Sequence, residues 1–483
     1  PSLVRLPDGT LTLFYSGNQW VSHDYATGTA VCSGLGFTFA PRCTRTGPGP
    51  YVNRRAGRGG IGGMTVAPGP GGELLAVSHS WAAHLPAGYN TSTPSNQRRM
   101  TAERLHQVDG RLVLSGPPGP AGPAPAAPYL PREPQRVLDT RDGQGTTGAR
   151  YLEAGEVLVL DLSTKVPATT TAVVVNLTVI GPARSGFVTA FPCGRPPDAS
   201  NVNAAAGAVI ADLATVQVSP ERKVCLYADM PTHLAVDLQG TYDTTATSRF
   251  TGVAPTRVHD TRTARRVEAG ETIRVPVAGR APIPAGADAV AVNLTATNAD
   301  IGGWLTAWPC SGTRPWVSNV NYGVASPSPN AAIVPLADDG SLCVYALTAT
   351  EVVIDVFGYT SGSGGAFTAS TPVRIHDSRT TGAMVRAGQT VAVPVIGPDR
   401  APAGTTSVVL TLTATQVQAF GWVAAFPCSS PPTPGAETSN LNVRAGETRA
   451  VHVTVPVGSD GTVCLFTLSP AHLIVDLSGS FGP

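Results

Sequence analysis

The residues most committed to chemistry in this chain are its eight cysteines. Six of them recur as three pairs, Cys193/Cys225, Cys310/Cys343 and Cys428/Cys464, each about 32 to 36 residues apart, and Cys32/Cys43 form a closer fourth pair. One pair per unit is the distribution that disulfides within each unit produce. Zinc is a weak alternative, because no Cys-x-x-Cys or neighbouring His spacing accompanies the pairs. Each longer bridge is expected to contribute about 2–4 kcal/mol and to require an oxidising, extracytoplasmic location. The expectation is a secreted, extracellular protein. Other residue sets repeat with the cysteines. Asp139/Asp260/Asp377 stand two positions before Arg141/Arg262/Arg379 and so share a face of a strand. They could grip a sugar hydroxyl or an anion. The reading preferred here is an ion pair tying the first strand of each copy to the strand that carries Asp237, Asp355 or Asp476.

Three copies of one module position these groups. Each opens on Arg-x-x-Asp-Thr/Ser-Arg (from Arg136, Arg257 and Arg374) and continues through an apolar strand containing Asn176-Leu-Thr, Asn293-Leu-Thr or Thr411-Leu-Thr. A Gly-aromatic pair follows (Phe187, Trp304, Trp422), then aromatic-Pro-Cys, a Ser-Asn-Val/Leu-Asn run, and a closing Val/Ile-Asp-x-x-Gly. The offset of about 120 residues is too long for a solenoid and long enough for each copy to bury a core. Alternating Val-x-Val runs broken by frequent turn signals argue a β-sandwich for each copy. The modules are assigned to residues 132–243, 250–360 and 366–483, as beads that fold independently on short polar linkers. Before them, residues 115–131 are Pro-rich and are expected to form a semi-rigid spacer.

Within the modules most repeated residues have a bland reading beside the functional one. The Ser-Asn-x-Asn runs suit turn capping. Phe187, Trp304 and Trp422 suit a sheet-edge or core position better than a sugar-stacking platform. Asn176 and Asn293 fit a glycosylation pattern but read as strand residues. Trp316, in a Pro-rich loop of the second copy alone, is the best single candidate for an exposed carbohydrate platform.

Composition fits an all-β, multidomain chain: 483 residues with Gly 53, Pro 44 and 42% hydrophobic residues. A net charge of +1 without a basic stripe argues against nucleic acid as a partner. No apolar run approaches a membrane span. The Arg-rich, Lys-poor, Ala/Gly/Pro/Thr-heavy bias suggests a high-GC bacterial source, and a monomer is expected. No Ser or Cys sits in a nucleophile motif, and His23, His84 and His106 show no triad or metal spacing.

Residues 1–114 carry a different signal. Phe14-Tyr-Ser-Gly-Asn18 ends one strand, Tyr25-Ala-Thr-Gly-Thr-Ala-Val-Cys32 makes another, and Gly60-Ile-Gly-Gly63 forms a turn. Ser78-His-Ser-Trp81 and Arg98-Arg-Met-Thr-Ala102 complete the set. In order and spacing these resemble the last two blades of a family-43 glycoside hydrolase, a five-bladed β-propeller that cleaves arabinan- or xylan-type linkages by inversion. The resemblance implies a fold class of partial β-propeller followed by three tandem β-sandwich modules, the modules resembling repeats of secreted actinobacterial proteins. It places Asn18, Trp20 and Arg99 on the rim of the substrate cleft. It also places His79 near the propeller axis, where the family holds a hydrated metal ion, often calcium; a satisfied core histidine is the competing reading. The family's general base, general acid and orienting Asp would all lie on blades upstream of Pro1. The expectation is therefore the C-terminal part of a secreted glycosidase, inactive alone, whose modules bind polysaccharide (arabinan or xylan) or bacterial cell wall. The alternative is a noncatalytic adhesion or stalk protein with a degenerate propeller.

Overall fold

In a computed structural model the described residues are 123–482 except 195, 325–326, 381–382 and 432–437, together with 2–6, 10–17, 26–32, 43–45, 54–55, 58–68, 74–82, 99–108 and 111–115. They are all-β: strands throughout, plus one 3₁₀ turn at Thr261–Thr263. None of their helical segments is long and apolar enough to cross a membrane. The chain divides into two compact units, Pro1–Gly119 and Pro120–Pro483.

The described residues of the first unit form two antiparallel meanders whose strand order is simply chain order. One runs Ser2–Arg5, Leu11–Gly17, Ala26–Cys32, Cys43–Arg45; the other runs from Arg54–Arg55 through Arg58–Pro68, Leu74–Ala82 and Arg99–Val108 to Arg111–Ser115. The first has four strands and the second five; four-stranded meanders are the building blocks of propellers. The two sheets share a small core of Leu6, Phe14, Met64, Val66 and Ala76. Two bonds stitch them together: Gly63 N donates to Ser16 Oγ at 2.7 Å, and Val66 N to Ser2 Oγ at 3.1 Å.

In the second unit each module is two four-stranded antiparallel sheets packed face to face. In the first module one sheet has the order Tyr129–Asp139, His233–Asp243, Thr170–Ile180, Val209–Gln217; the other has Glu156–Asp161, Lys223–Ala228, Gly186–Pro192, Val202–Ala204. The second and third modules repeat both orders. The alternation of Thr170–Ile180 explains the layering. Val173, Val175, Leu177 and Val179 point into the module's own sandwich core, while Ala172 and Val174 point the other way and are equally buried. A strand covered on both faces needs apolar residues at both parities, which is why this segment reads as a nearly continuous apolar run.

What covers the second face is the other two modules. Tyr129, Tyr242, Phe250, Phe367 and Phe481 form one aromatic cluster with Ala291, Ile333 and Val409, drawn from all three copies. Phe250 stacks on Phe481 at 4.3 Å between centroids, and Tyr242 lies 4.3 Å from Phe367. The repeated Gly of Val/Ile-Asp-x-x-Gly makes this cluster possible: a Cβ on Gly358 would stand 2.2 Å from the Phe250 ring, and one on Gly479 would stand 2.4 Å from Phe367. The independent beads expected from the repeat length are thus one body around a common core. The Pro-rich stretch differs from expectation as well. From 123 onward it is docked, with Ala124 N and Ala127 N donating to the carbonyls of Ala369 and Phe367 at 2.9 Å each. Buried Ala124 and Ala127 join the shared core, and that burial holds the segment against the third module.

Candidate functional site

The four expected disulfides are all formed: Cys32–Cys43, Cys193–Cys225, Cys310–Cys343 and Cys428–Cys464. Among the described residues no cysteine is free.

In the first unit, Asn18 and Trp20 lie outside the described residues. His79 is on the strand Leu74–Ala82, in register with Gly62 on one side and Met100 on the other; Arg99 opens the next strand, opposite Ser80. The side chains of both lie outside the described residues. No group of three or more metal-ligating side chains occurs among the described residues, and imidazole is a poor match for calcium, which takes oxygen ligands.

In the second unit the repeated charges form three equivalent networks. Arg136 makes a two-pronged contact with buried Asp237, Nε to Oδ1 at 2.5 Å and Nη2 to Oδ2 at 3.2 Å, and reaches Asp139 at 2.6 Å. Arg257 pairs with Asp355 at 2.8 Å, and Arg374 with Asp476 at 2.9 Å. The tie between the first strand and the Val-Asp strand exists, but the arginine that makes it is the first of the motif. The second, Arg141, Arg262 or Arg379, folds back on its own Asp139, Asp260 or Asp377 at 2.6–2.7 Å. The hydrogen bonds from Arg262 and Arg379 hold the Asp260 and Asp377 carboxyls below the ordinary range. Burial pushes Asp355 and Asp476 upward against the pull of their arginines. The bridging role of Arg136, Arg257 and Arg374 was signalled by their recurrence at one position.

The Ser-Asn-x-Asn runs are structural. Asn201, Asn319 and Asn440 each accept through Oδ1 from a strand N–H, that of Ala190, Ala307 or Ala425, at 2.7–2.8 Å. Their serine carbonyls also receive the asparagines that read as plain strand residues: Asn176 Nδ2 donates to Ser318 O at 2.5 Å, and Asn293 Nδ2 to Ser439 O at 2.7 Å. Both asparagines are buried between modules. Asn330 strengthens the first seam by accepting from Leu213 N and donating to Asn176 Oδ1. At the third seam Thr411 and Val451 stand where these amides would be, and His452 takes over: its backbone N–H donates to Asp212 Oδ1, and its ring Nε2 meets Thr215 Oγ1 at 3.1 Å.

The outer sheets carry aromatics beside each disulfide. Phe187 lies 5.9 Å from Tyr227, and Trp422 lies 4.9 Å from Phe466, all half-buried as a sheet-edge reading requires. Trp316 is different. It is 79% exposed, the most exposed of the large hydrophobic residues described. The Arg314 guanidinium carbon stands over the Tyr345 ring, 3.8 Å from its centroid, and 5.3 Å from that of Trp316. A guanidinium at this distance over a ring is held by cation–π attraction and keeps N–H donors near the indole.

No family model matches the chain, and no curated protein does. Among solved structures, the chain is 28% identical to a thermostable family-43 glycoside hydrolase over 24% of its own length and 34% of that chain, with a TM-score of 0.19. It therefore spans about a third of the length of that relative. A Bombyx mori family-32 β-fructofuranosidase is 11% identical over 50% of this chain and 53% of that one, TM-score 0.18. A triple jelly-roll protein of an archaeal virus is 10% identical over 77% and 88%, TM-score 0.16.

Proposed function

We propose that residues 1–114 belong to the propeller of an extracellular inverting glycoside hydrolase acting on arabinan- or xylan-type polysaccharide. The second unit serves as a carbohydrate-binding appendage. The family-43 motifs of residues 1–114, set on two adjoining meanders packed around Phe14, support the hydrolase half. The resemblance assigns the catalytic carboxylates to other blades, so the 483 residues alone should not turn over substrate. His79 and any calcium would belong to the assembled propeller. Four disulfides suit an oxidising, extracytoplasmic setting.

Trp316 carries the binding half. An indole left 79% exposed, with a stacked arginine beside it, offers a flat apolar face next to hydrogen-bond donors, the combination a sugar ring needs. The test is retention of the purified chain on insoluble arabinan, arabinoxylan and peptidoglycan. Loss of retention in Trp316→Ala is expected, and equal retention would remove the binding half. A second reading, a noncatalytic adhesion or stalk protein, is favoured by one observation: the charged and amide residues shared by all three modules are occupied in tying strands together within each module. It takes over if the wild-type chain is retained on none of the three polymers.

A further inference from the structure

The loop that carries Trp316 leaves its own module and reaches the one before it. The Glu133 carboxylate, on the first strand of the first module, lies 2.8 Å from where a Cβ on Gly312 would stand. The same relation holds at another seam: Asp198, in the equivalent loop of the first module, approaches Arg374 on the first strand of the third at 3.6 Å. Asp198 precedes Ser200 by two residues, as Trp316 precedes Ser318, so the two occupy one repeat position. Each of these loops overhangs the first strand of its neighbour. At this repeat position the three copies carry Asp198, Trp316 and Glu437, so the second alone has an aromatic residue there.

The strand that this loop meets at Gly312 is also singular. The first strand presents an open groove of about 570 Å³ lined by Leu130, Pro131, Arg132, Glu133, Pro134 and Gln135. Glu133 is exposed, and among the described residues its carboxylate has no hydrogen-bond or ion-pair partner. Its counterparts before the shared proline are Ala254 and Thr371, which carry no charge. The first seam therefore combines an exposed indole, a free carboxylate acceptor and a guanidinium held by stacking. A sugar ring has the complementary chemistry: a C–H face to stack, and a rim of hydroxyls that both donate and accept.

We infer that the carbohydrate site is composite and lies at the seam between the first and second modules. Trp316 forms its floor, Glu133 accepts hydrogen bonds from sugar hydroxyls, and Arg314 donates them. The ligand class is a neutral polysaccharide segment bound on its surface. The inference rests on the binding reading above and adds that the second module alone holds half a site.

The experiment uses the full chain, with retention on insoluble arabinoxylan and quenching of tryptophan fluorescence by xylohexaose as readouts. Trp316→Ala and Glu133→Ala are compared with wild type after confirming equal thermal midpoints. About tenfold weaker binding is expected for Trp316→Ala, and about three- to tenfold for Glu133→Ala. Loss in Trp316→Ala with no change in Glu133→Ala overturns the composite site and leaves the binding reading standing. An unchanged Trp316→Ala, or a wild-type chain that binds neither probe, overturns both.

Discussion

Asn293 of the second module donates from Nδ2 to the carbonyl of Ser439 in the third at 2.7 Å, joining two repeat motifs that lie 146 residues apart. Asn176 does the same to Ser318 one module earlier, so the apolar strand of one copy reads the Ser-Asn turn of the next. Replacing either asparagine by alanine removes a buried donor and leaves its carbonyl partner unpaired. Each is expected to cost about 1–3 kcal/mol in urea unfolding. Asn176 and Asn330 share a bond of 2.9 Å, so Asn176→Ala/Asn330→Ala should cost less than the sum of the singles. Strict additivity would mean the amides do not form one network.

The charge networks separate into one strong and one weak arginine per module. Arg257→Met strands the nearly inaccessible Asp355 carboxylate and is expected to cost about 3–5 kcal/mol. Arg262 is about half exposed and pairs with Asp260 on the surface, so Arg262→Ala should cost under about 1 kcal/mol. Thermal melts of the two variants decide this. Equal losses would show that the second arginine also bears on the buried network.

Much of this was legible from the chain. The all-β class, the sandwich modules and all four cysteine pairs follow from alternation, turn spacing and one pair per copy. The way the modules associate was harder to read. Ala172 and Val174 look like ordinary strand residues, and only the burial of both faces of their strand reveals a common core. The asparagines were hidden for a related reason: an amide that bridges two domains has the same local sequence as one facing water. Trp316 stood out because it broke the repeat. Glu133 did not, since nothing in a first strand announces which loop of another module will lie over it.

His452 makes the third seam sensitive to pH. Burial drives its imidazole pKa down to about 3, while an unfolded histidine titrates near ~6.5. Between those values the unfolded chain binds the extra proton, so this contribution to stability is complete above pH ~6.5 and is lost as pH falls toward ~3. Asp212 acts in the opposite sense, because burial raises its carboxyl well above 3.8 and acidification relieves its charge. His452→Gln removes only the imidazole's share. Relative to the variant, wild type is expected to lose on the order of 3 kcal/mol between pH 7 and pH 4 in urea titrations. A constant difference across that range would show that His452 is not held neutral.

Residues 250–360 contain the sandwich core built on Val275, Val292, Leu305 and Val344, which taken alone would suffice for a small β-domain. Excision also uncovers Phe250, Ala289, Ala291 and Ile333, which the intact unit covers with Phe367, Phe481 and the other modules. It strands Asn293 and Asn330, whose partners lie in the neighbouring copies. A fragment of residues 250–360 should therefore self-associate or aggregate, because an apolar sheet face of this kind seeks a partner. Residues 120–483 should remain monomeric and unfold in a single transition. Sedimentation velocity on both fragments, with circular dichroism melts, is the measurement. A monomeric 250–360 fragment that melts cooperatively near the midpoint of 120–483 would show that the shared aromatic cluster contributes little, and that the modules behave as separate beads.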